Sequence, residues 1–482
     1  MNIATDTTAV TLTDAMLRRL DVAGPRYTSY PTADRFVEAF GEADLRRALS
    51  VRGGSGGASA GGTFGGSAPL SIYVHVPFCE SVCYYCACNK VITKHHDRAA
   101  PYLDALEREM DLHVALLGGG RSAGARRPAV SQLHLGGGSP TFLDDAELSR
   151  LMAALRARFT LQPGAELSIE VDPRTVDATR LRHLAALGFN RLSFGVQDFD
   201  AAVQRAVHRV QSHDSVAALM REAAACGFVS TNVDLIYGLP MQTPESLAQT
   251  VRLVAALRPD RIALYAYAHL PERFKPQRRI DPAAMPSAEA RLAMLSNAMN
   301  GFVAEGNTYI GMDHFALPAD SLAVAKRQGR LHRNFQGYST QPDTDLLGLG
   351  VSSISRVGAS YSQNAKTLPE YYDALSQGRL PVVRGLALSR DDLVRRAVIM
   401  ALMCQGRLDF EAIEMAHLID VPTYFESELA HLQPLVDGGL IEVEPDAIQV
   451  TPLGWYFVRA VAMVFDRYLQ TDRARDRYSR II

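Results

Sequence analysis

Ser71-Ile72-Tyr73-Val74-His75-Val76-Pro77-Phe78-Cys79-Glu80-Ser81-Val82-Cys83-Tyr84-Tyr85-Cys86-Ala87-Cys88 joins a short apolar run to a loop crowded with thiols. Ser71–Val76 is rich in β-branched and aromatic residues and is stopped by Pro77, so it reads as a largely buried strand. A buried strand that ends in ligand-type residues places a site at its carboxyl end. Working outward, the same pattern returns at Ser131–Leu135, Glu166–Val171, Arg191–Val196, Thr231–Ile236 and Arg261–Tyr267. Helical stretches separate these runs. Ala100–Leu117 puts Leu103, Leu106, Met110 and Val114 on one face, and Ala146–Phe159 and Asp177–Leu187 do likewise with Leu and Ala.

Strands alternating with helices imply an α/β class with a parallel sheet and right-handed crossovers. The expected shape is a partial parallel (β/α)6 TIM-like barrel, with an open doubly wound sheet as the alternative. The strand ends carry the polar residues. The second candidate runs into Gly136-Gly137-Gly138-Ser139-Pro140-Thr141, the third into Glu170-Val171-Asp172-Pro173, and the fourth into Gly195-Val196-Gln197-Asp198. Asp234 precedes Tyr237-Gly238-Leu239-Pro240, and Tyr265-Ala266-Tyr267-Ala268-His269 closes the sixth. In a parallel barrel these ends meet at one mouth, where active sites lie.

The rest of the chain is organised around this unit. Residues 1–50 read as an N-terminal arm or lid. Residues 51–69, with eight Gly and three Ser, read as a flexible loop, and Gly118–Pro128 as a smaller one. Residues 70–365 are the expected catalytic barrel. Gly311–Phe315 and Asn334–Tyr338 look like polar-aromatic loops. Residues 366–482 are the expected helical C-terminal domain. Ser389-Arg390-Asp391-Asp392 marks a helix start there. Leu440–Val443 and Ile448–Val450, turning at Pro445-Asp446, suggest a winged-helix-like hairpin.

Composition narrows the function. The 482 residues are 47% hydrophobic and 21% charged, ordinary for a soluble chain with a sizeable core. A net charge of −2 and the absence of a basic recognition face argue against a nucleic-acid partner. Met1–Leu20 has no apolar core, so no secretory leader is expected. No apolar run approaches the ~18 residues of a membrane span. The expected location is the cytoplasm.

Four of the six cysteines, Cys79, Cys83, Cys86 and Cys88, fall within ten residues. Thiols this close do not bridge readily and read as metal or redox groups. Cys226 and Cys404 are isolated and look like small core residues. A structural zinc site prefers two separated ligand pairs. Here one loop, spaced C-x3-C-x2-C-x-C, can hold three corners of an iron–sulfur cube and leave the fourth iron open. A zinc knuckle or a purely structural cluster is the plainer alternative. Taken alone, Gly136–Gly138 could be a turn, Glu170 and Asp234 helix caps, Gln197 a backbone partner and His75 a hydrogen-bonded core histidine.

The residues around the cysteines resemble the signature of the radical S-adenosylmethionine superfamily. The likeness continues through Arg26-Tyr27-Thr28-Ser29-Tyr30-Pro31-Thr32, the triple glycine, Ile169–Arg174, Gly195–Phe199, Asp234–Pro240, Gly311–Phe315 and His332-Arg333-Asn334-Phe335-Gln336-Gly337-Tyr338. In that order these motifs resemble the oxygen-independent coproporphyrinogen III oxidases, over nearly the whole chain.

The resemblance implies a [4Fe–4S] cluster on Cys79, Cys83 and Cys86, with Cys88 of open role, and two molecules of S-adenosylmethionine. Contacts to the first would fall on Tyr73, Gly137, Glu170 and Ile354. Contacts to the second would fall on Tyr85, Gly138, Ser139, Gln197, Arg209, Asp234 and Ala268. Tyr85 and Ser139 stand where the family often has Phe and Thr. The implied reaction is oxidative decarboxylation of two propionates of coproporphyrinogen III to vinyl groups in heme biosynthesis, through a 5′-deoxyadenosyl radical. It implies a reductant such as flavodoxin or ferredoxin, and a monomer is expected. Arg26, Tyr27 and Arg333 are either propionate contacts or packing residues. The competing reading is the heme chaperone of the same superfamily. Against it stand Cys88 and the Arg333-Asn334-Phe335 stretch, which lacks that relative's His-Asn-x-Trp; the single Trp, Trp455, lies far away.

Overall fold

The computed structural model describes residues 24–53, 68–119 and 127–471. The expectations for Met1–Leu20 and for most of the 51–69 and 118–128 loops fall outside them.

The alternating pattern builds β1 (Leu70–Val76), α1 (Ala99–Leu116), β2 (Ala129–Gly137), α2 (Asp145–Arg158), β3 (Thr160–Val171), α3 (Ala178–Ala186), β4 (Arg191–Gln197), α4 (His213–Ala225), β5 (Ser230–Tyr237), α5 (Pro244–Leu257) and β6 (Arg261–Ala266). These strands pair in parallel in that order. Helix starts are chemically marked. Asp144 and Glu147 form a capping box on α2, and Thr243 and Ser246 form one on α5 with Pro244 in the first turn. On α1, Leu103, Leu106, Met110 and Val114 are buried as their spacing predicts.

Alternate strand residues divide the work. Ile72, Val74, Leu133, Leu135, Ile169, Leu192, Phe194, Val233, Leu235 and Leu264 are buried and apolar. The opposite face carries two rows in register, Tyr73, His134 and Ser168 in one and Glu170, Ser193 and Asn232 in the next, with Asp234 and Tyr265 further towards the carboxyl ends. An α/β sheet with one polar face has a core on one side only and a chamber on the other.

The sheet extends beyond the six strands expected. Beside β6 lie β7 (Thr308–Gly311) and β8 (His314–Ala316), and beside β1 lie β9 (Leu346–Leu349), β10 (Ile354–Val357), β11 (Ser360–Asn364) and β12 (Val382–Ala387). The order of the 12-stranded sheet is β12-β11-β10-β9-β1-β2-β3-β4-β5-β6-β8-β7, with β9 parallel to β1 and the remaining additions antiparallel. No ladder joins β12 to β7 among the described residues, so the barrel is a partial one.

Two stretches expected as loops are hairpins. Gly311–Phe315 contains the β7–β8 turn, with Met312 and Asp313 at φ 47° and 63°. His332–Asn334 pairs with Gly337–Ser339. Strands of three or four residues hold too few repeats to show a period of two.

Past the sheet, α6 (Arg390–Gln405) starts on a Ser389–Asp392 capping box and ends at Gly406, φ 66°. The anticipated hairpin appears as Ile441–Val443 against Ala447–Val450, with Arg407–Asp409 added as a third strand. The N-terminal segment ties both ends together. Val37 bridges to Gly385 on β12, and Tyr27 Oη donates to Asp466 at 2.9 Å. No described helix is long and apolar enough to cross a membrane.

Candidate active site

The thiol loop leaves β1 at Val76 and is closed at its base by two short parallel strands, Phe78–Cys79 and Val91–Ile92. Cys83 is buried, Cys79 and Cys86 are half-buried, and Cys88 is exposed. Arg209 Nη1 and Arg174 Nη2 donate to Cys83 Sγ at 3.4 and 3.5 Å. Asp172 holds both guanidinium groups, at 3.2 Å from Arg209 and 2.6 Å from Arg174. Burial and then the neighbouring Cys86 and Cys83 push the Cys79 thiol up to about 12. The hydrogen bond from Cys88, helped by Lys90, brings Cys86 down to about 6, while Cys88 moves up. Lys90 Nζ also caps the Cys86 carbonyl at 3.0 Å.

The donor set fits an iron–sulfur cube. Thiolates are soft ligands, and cations beside them lower the cost of gathering negative charge. Among the described residues no three Cys, His, Asp or Glu side chains gather around one point as a single ion requires. A cube instead takes each thiolate on a different iron.

The rim beside the loop is built from glycine. Gly137 has φ +119°, and a Cβ there would lie 2.6 Å from the His75 ring; one on Gly138 would lie 2.6 Å from the Pro77 carbonyl oxygen. Any side chain would push the rim away from β1. Gly137 N–H donates to Glu170 Oε2 at 3.1 Å. His134 stacks on Tyr73, with ring centroids 5.9 Å apart, and reaches Glu170 Oε1 at 3.4 Å. Burial alone would raise the Glu170 pKa, but His134 and the Gly137 N–H outweigh it and the net direction is down. Asp234 behaves oppositely. Burial first, then the nearby Glu170, push it up to about 6 although Ser193 and Asn232 donate to it at 2.9 Å. The mouth thus holds one firmly ionised carboxylate and one that titrates near neutrality.

The remaining sequence-predicted residues sit around this centre. Arg209 Nε donates to Gly195 O at 3.1 Å, and Gln197 ends β4 at φ 70°, an uncommon conformation for a residue with a side chain. Ser139 N–H bonds Phe78 O at 2.8 Å. Gln277 Nε2 donates to the carbonyls of Tyr85, at 3.0 Å, and Ala268, at 3.2 Å. Ile354 opens β10 against Gly348, which pairs with Tyr73. Sequence reasoning passed over Asp172, Arg174, His134, Ser193, Asn232, Tyr265 and Gln277 as site residues. Asp172 and Arg174 lay within a quoted strand end and His134 alternates with buried leucines. Gln277, in a short 3₁₀ turn, carries no local signal.

The comparisons with known proteins agree with this geometry. The radical SAM superfamily matches residues 73–254, and the HemN C-terminal domain matches 388–457. The chain is 48% identical over 468 residues to the oxygen-independent coproporphyrinogen III oxidase of Escherichia coli (strain K12), covering 97% of this chain and 98% of that one. It is 47% identical over 469 residues to the enzyme of the same name from Pseudomonas aeruginosa, again covering 97% and 98%. A solved structure described as coproporphyrinogen III oxidase (HemN) from Escherichia coli, a radical SAM enzyme, superposes with a TM-score of 0.85 at 48% identity, over 92% of this chain and 97% of that one. The chain belongs to the oxygen-independent coproporphyrinogen III oxidases of the radical SAM superfamily.

Proposed function

We propose that the chain oxidatively decarboxylates two propionate side chains of coproporphyrinogen III to vinyl groups, giving protoporphyrinogen IX. Each propionate loses a β-hydrogen atom, carbon dioxide and one electron. One observation carries the reading: the thiol loop, the glycine rim, Glu170 and Asp234 share one barrel mouth in a chain matched end to end by relatives of that name.

When bound, the cluster and S-adenosylmethionine supply a hydrogen-abstracting radical. The protein's part is to hold and shield them. Cys79, Cys83 and Cys86 hold the cluster, with Arg174 and Arg209 donating to Cys83 Sγ. Cys88 donates to Cys86 and is not a ligand. Tyr73, Gly137, Glu170 and Ile354 would surround a first S-adenosylmethionine, whose ammonium suits the carbonyls of the glycine rim and whose amine or ribose hydroxyls suit the ionised Glu170. Tyr85, Gly138, Ser139, Gln197, Arg209, Asp234 and Ala268 surround a second. The residues 70–365 unit does the chemistry, and residues 366–482 pack against it. The electron donor is a flavodoxin- or ferredoxin-like protein, and the enzyme works as a cytoplasmic monomer.

The test is an anaerobic assay of cluster-loaded protein with coproporphyrinogen III, S-adenosylmethionine and a reductant, followed by chromatography. Divinyl product supports the reading. No product from fully loaded protein, together with stoichiometric heme binding, overturns it.

A further inference from the structure

The far wall of the chamber is rich in positive charge. Arg26, Arg333 and Arg459 all act electrostatically on one carboxylate, Asp313, at the tip of the β7–β8 hairpin. Arg26 Nη2 lies 3.5 Å from Asp313 Oδ2, and Arg333 Nε donates to the Arg26 carbonyl at 3.3 Å. Arg333 is 5% exposed, and its guanidinium lies over the Tyr338 ring, 4.6 Å from the centroid. Arg333 Nη1 and Arg26 Nη2 are buried and have no hydrogen-bond partner among the described residues. A buried guanidinium nitrogen without an acceptor is costly, as Arg333 Nη1 is here. Folding alone does not explain the arrangement; a bound anion does.

The chamber also opens the right way. Arg26 lies over the Tyr265 ring, 5.5 Å from its centroid, and Tyr265 is 37% exposed on the inner face of β6. Tyr265 is close enough to Asp234, Glu170, Arg26 and Arg333 to interact with all four. Arg26 lies directly over that ring, and Arg333 reaches it through a run of rings, Tyr338 to His314 to Tyr265, with centroids 5.8 and 5.9 Å apart. The far wall, with Arg26 and Arg333, attracts an anionic substrate group.

We infer that Arg26 and Arg333 form a carboxylate subsite that grips a non-reacting propionate of the substrate, so that the macrocycle leans on Tyr265 and presents another propionate to the mouth. This rests on the proposed function, and it assigns positioning and recognition to residues outside the cofactor contacts. A planar fork bonded bidentately to a carboxylate fixes orientation as well as affinity, which a lysine does less well.

The experiment compares wild type, Arg333→Met, Arg26→Met and Arg333→Lys, each checked for fold by circular dichroism and for iron content. The probes are coproporphyrin III, the air-stable tetracarboxylate, and its tetramethyl ester, with affinity read by fluorescence quenching. Anaerobic kcat and KM for coproporphyrinogen III are measured alongside. The expected result is that each Met variant binds the tetracarboxylate roughly 10- to 100-fold more weakly and shows a similar rise in KM. Affinity for the ester stays unchanged, and Arg333→Lys falls between. Arg26→Met, at the open edge, keeps the test decisive should Arg333→Met fail to fold. Unchanged tetracarboxylate affinity in a folded Met variant, or equal losses for acid and ester, overturns the subsite while wild-type turnover leaves the proposed reaction standing. A wild type that makes no divinyl product removes both.

Discussion

Two buried polar clusters lie on opposite sides of this sheet, and they are finished differently. Behind β1, Glu109 on α1 is fully buried and accepts from Gly350 N–H at 2.7 Å, Tyr371 Oη at 2.6 Å and Asn364 Nδ2 at 2.6 Å. Next to it, Tyr102 Oη donates to His75 O at 2.6 Å and accepts from Val351 N–H at 3.1 Å. The loose end is His113 Nδ1, and burial drives that ring's pKa down to about 3, so it stays neutral. Inside the chamber, by contrast, Arg333 Nη1 and Arg26 Nη2 have no hydrogen-bond partner among the described residues, and carboxylates crowd the mouth. Folding completes the first cluster, and in the proposed subsite a substrate carboxylate completes the second. Mutations should therefore separate the two sides into losses of stability and losses of binding.

The largest effect tests the ligand side. Cys79→Ser, Cys83→Ser or Cys86→Ser should abolish turnover and leave reconstituted protein with at most background iron, while the metal-free chain unfolds where the wild type does. Full activity in any of the three breaks the ligand assignment. Glu109→Ala tests the scaffold side. It strands three buried donors, so unfolding in urea should show a loss of about 3 kcal/mol or more. An unaltered midpoint would mean that the Glu109 cluster does not brace β9 and β11 against α1. Glu170→Gln sharpens the contrast at smaller scale. S-adenosylmethionine affinity, measured by equilibrium dialysis of loaded protein, should fall roughly 10- to 100-fold with little change in stability. A variant that loses stability instead of affinity would place Glu170 with the scaffold.

The same contrast explains what the sequence let a reader see. The strands from Ser71 to Tyr267 were legible because each buries an apolar run between capped helices, and residues two apart share a face. Gly137 and Glu170 were legible as strand ends. Gln277 was not, because its two acceptors, Tyr85 O and Ala268 O, come from distant segments and its 3₁₀ turn has no period. The added strands β9 to β12 escaped for a related reason. Their placement depends on β9 pairing with β1, which lies far earlier in the chain. Glu109 drew no reading from the sequence, because the groups that bury it, Asn364 and Tyr371, come from the far end of the sheet. Local pattern reveals the elements; long-range pairing decides which polar groups are sealed and which face the chamber.

The smallest effect probes how completely the scaffold cluster is satisfied. Burial lifts the Glu109 pKa from the ordinary 4.5 to about 7, although Tyr371, Gly350 and Asn364 all favour the charged form. The folded chain therefore keeps a proton that the unfolded chain has released, and Glu109's contribution to stability falls as pH rises from about 4.5 to about 7. Tyr371→Phe removes one donor and leaves no new buried donor behind, so its cost should be about 1 kcal/mol at pH 8, where Glu109 is ionised. At pH 5 the carboxyl is already protonated in the folded chain and gains less from the hydroxyl, so the cost should shrink. The variant's Glu109 pKa should also rise further, which carries the decline in stability to higher pH. Urea titrations of both proteins at the two pH values measure the difference directly. An equal cost at both would show that Glu109 does not change charge across this range. A cost of about 1 kcal/mol at both would mean that Glu109 stays ionised, and a negligible one that it stays neutral, with the charge confined to the chamber side of the sheet.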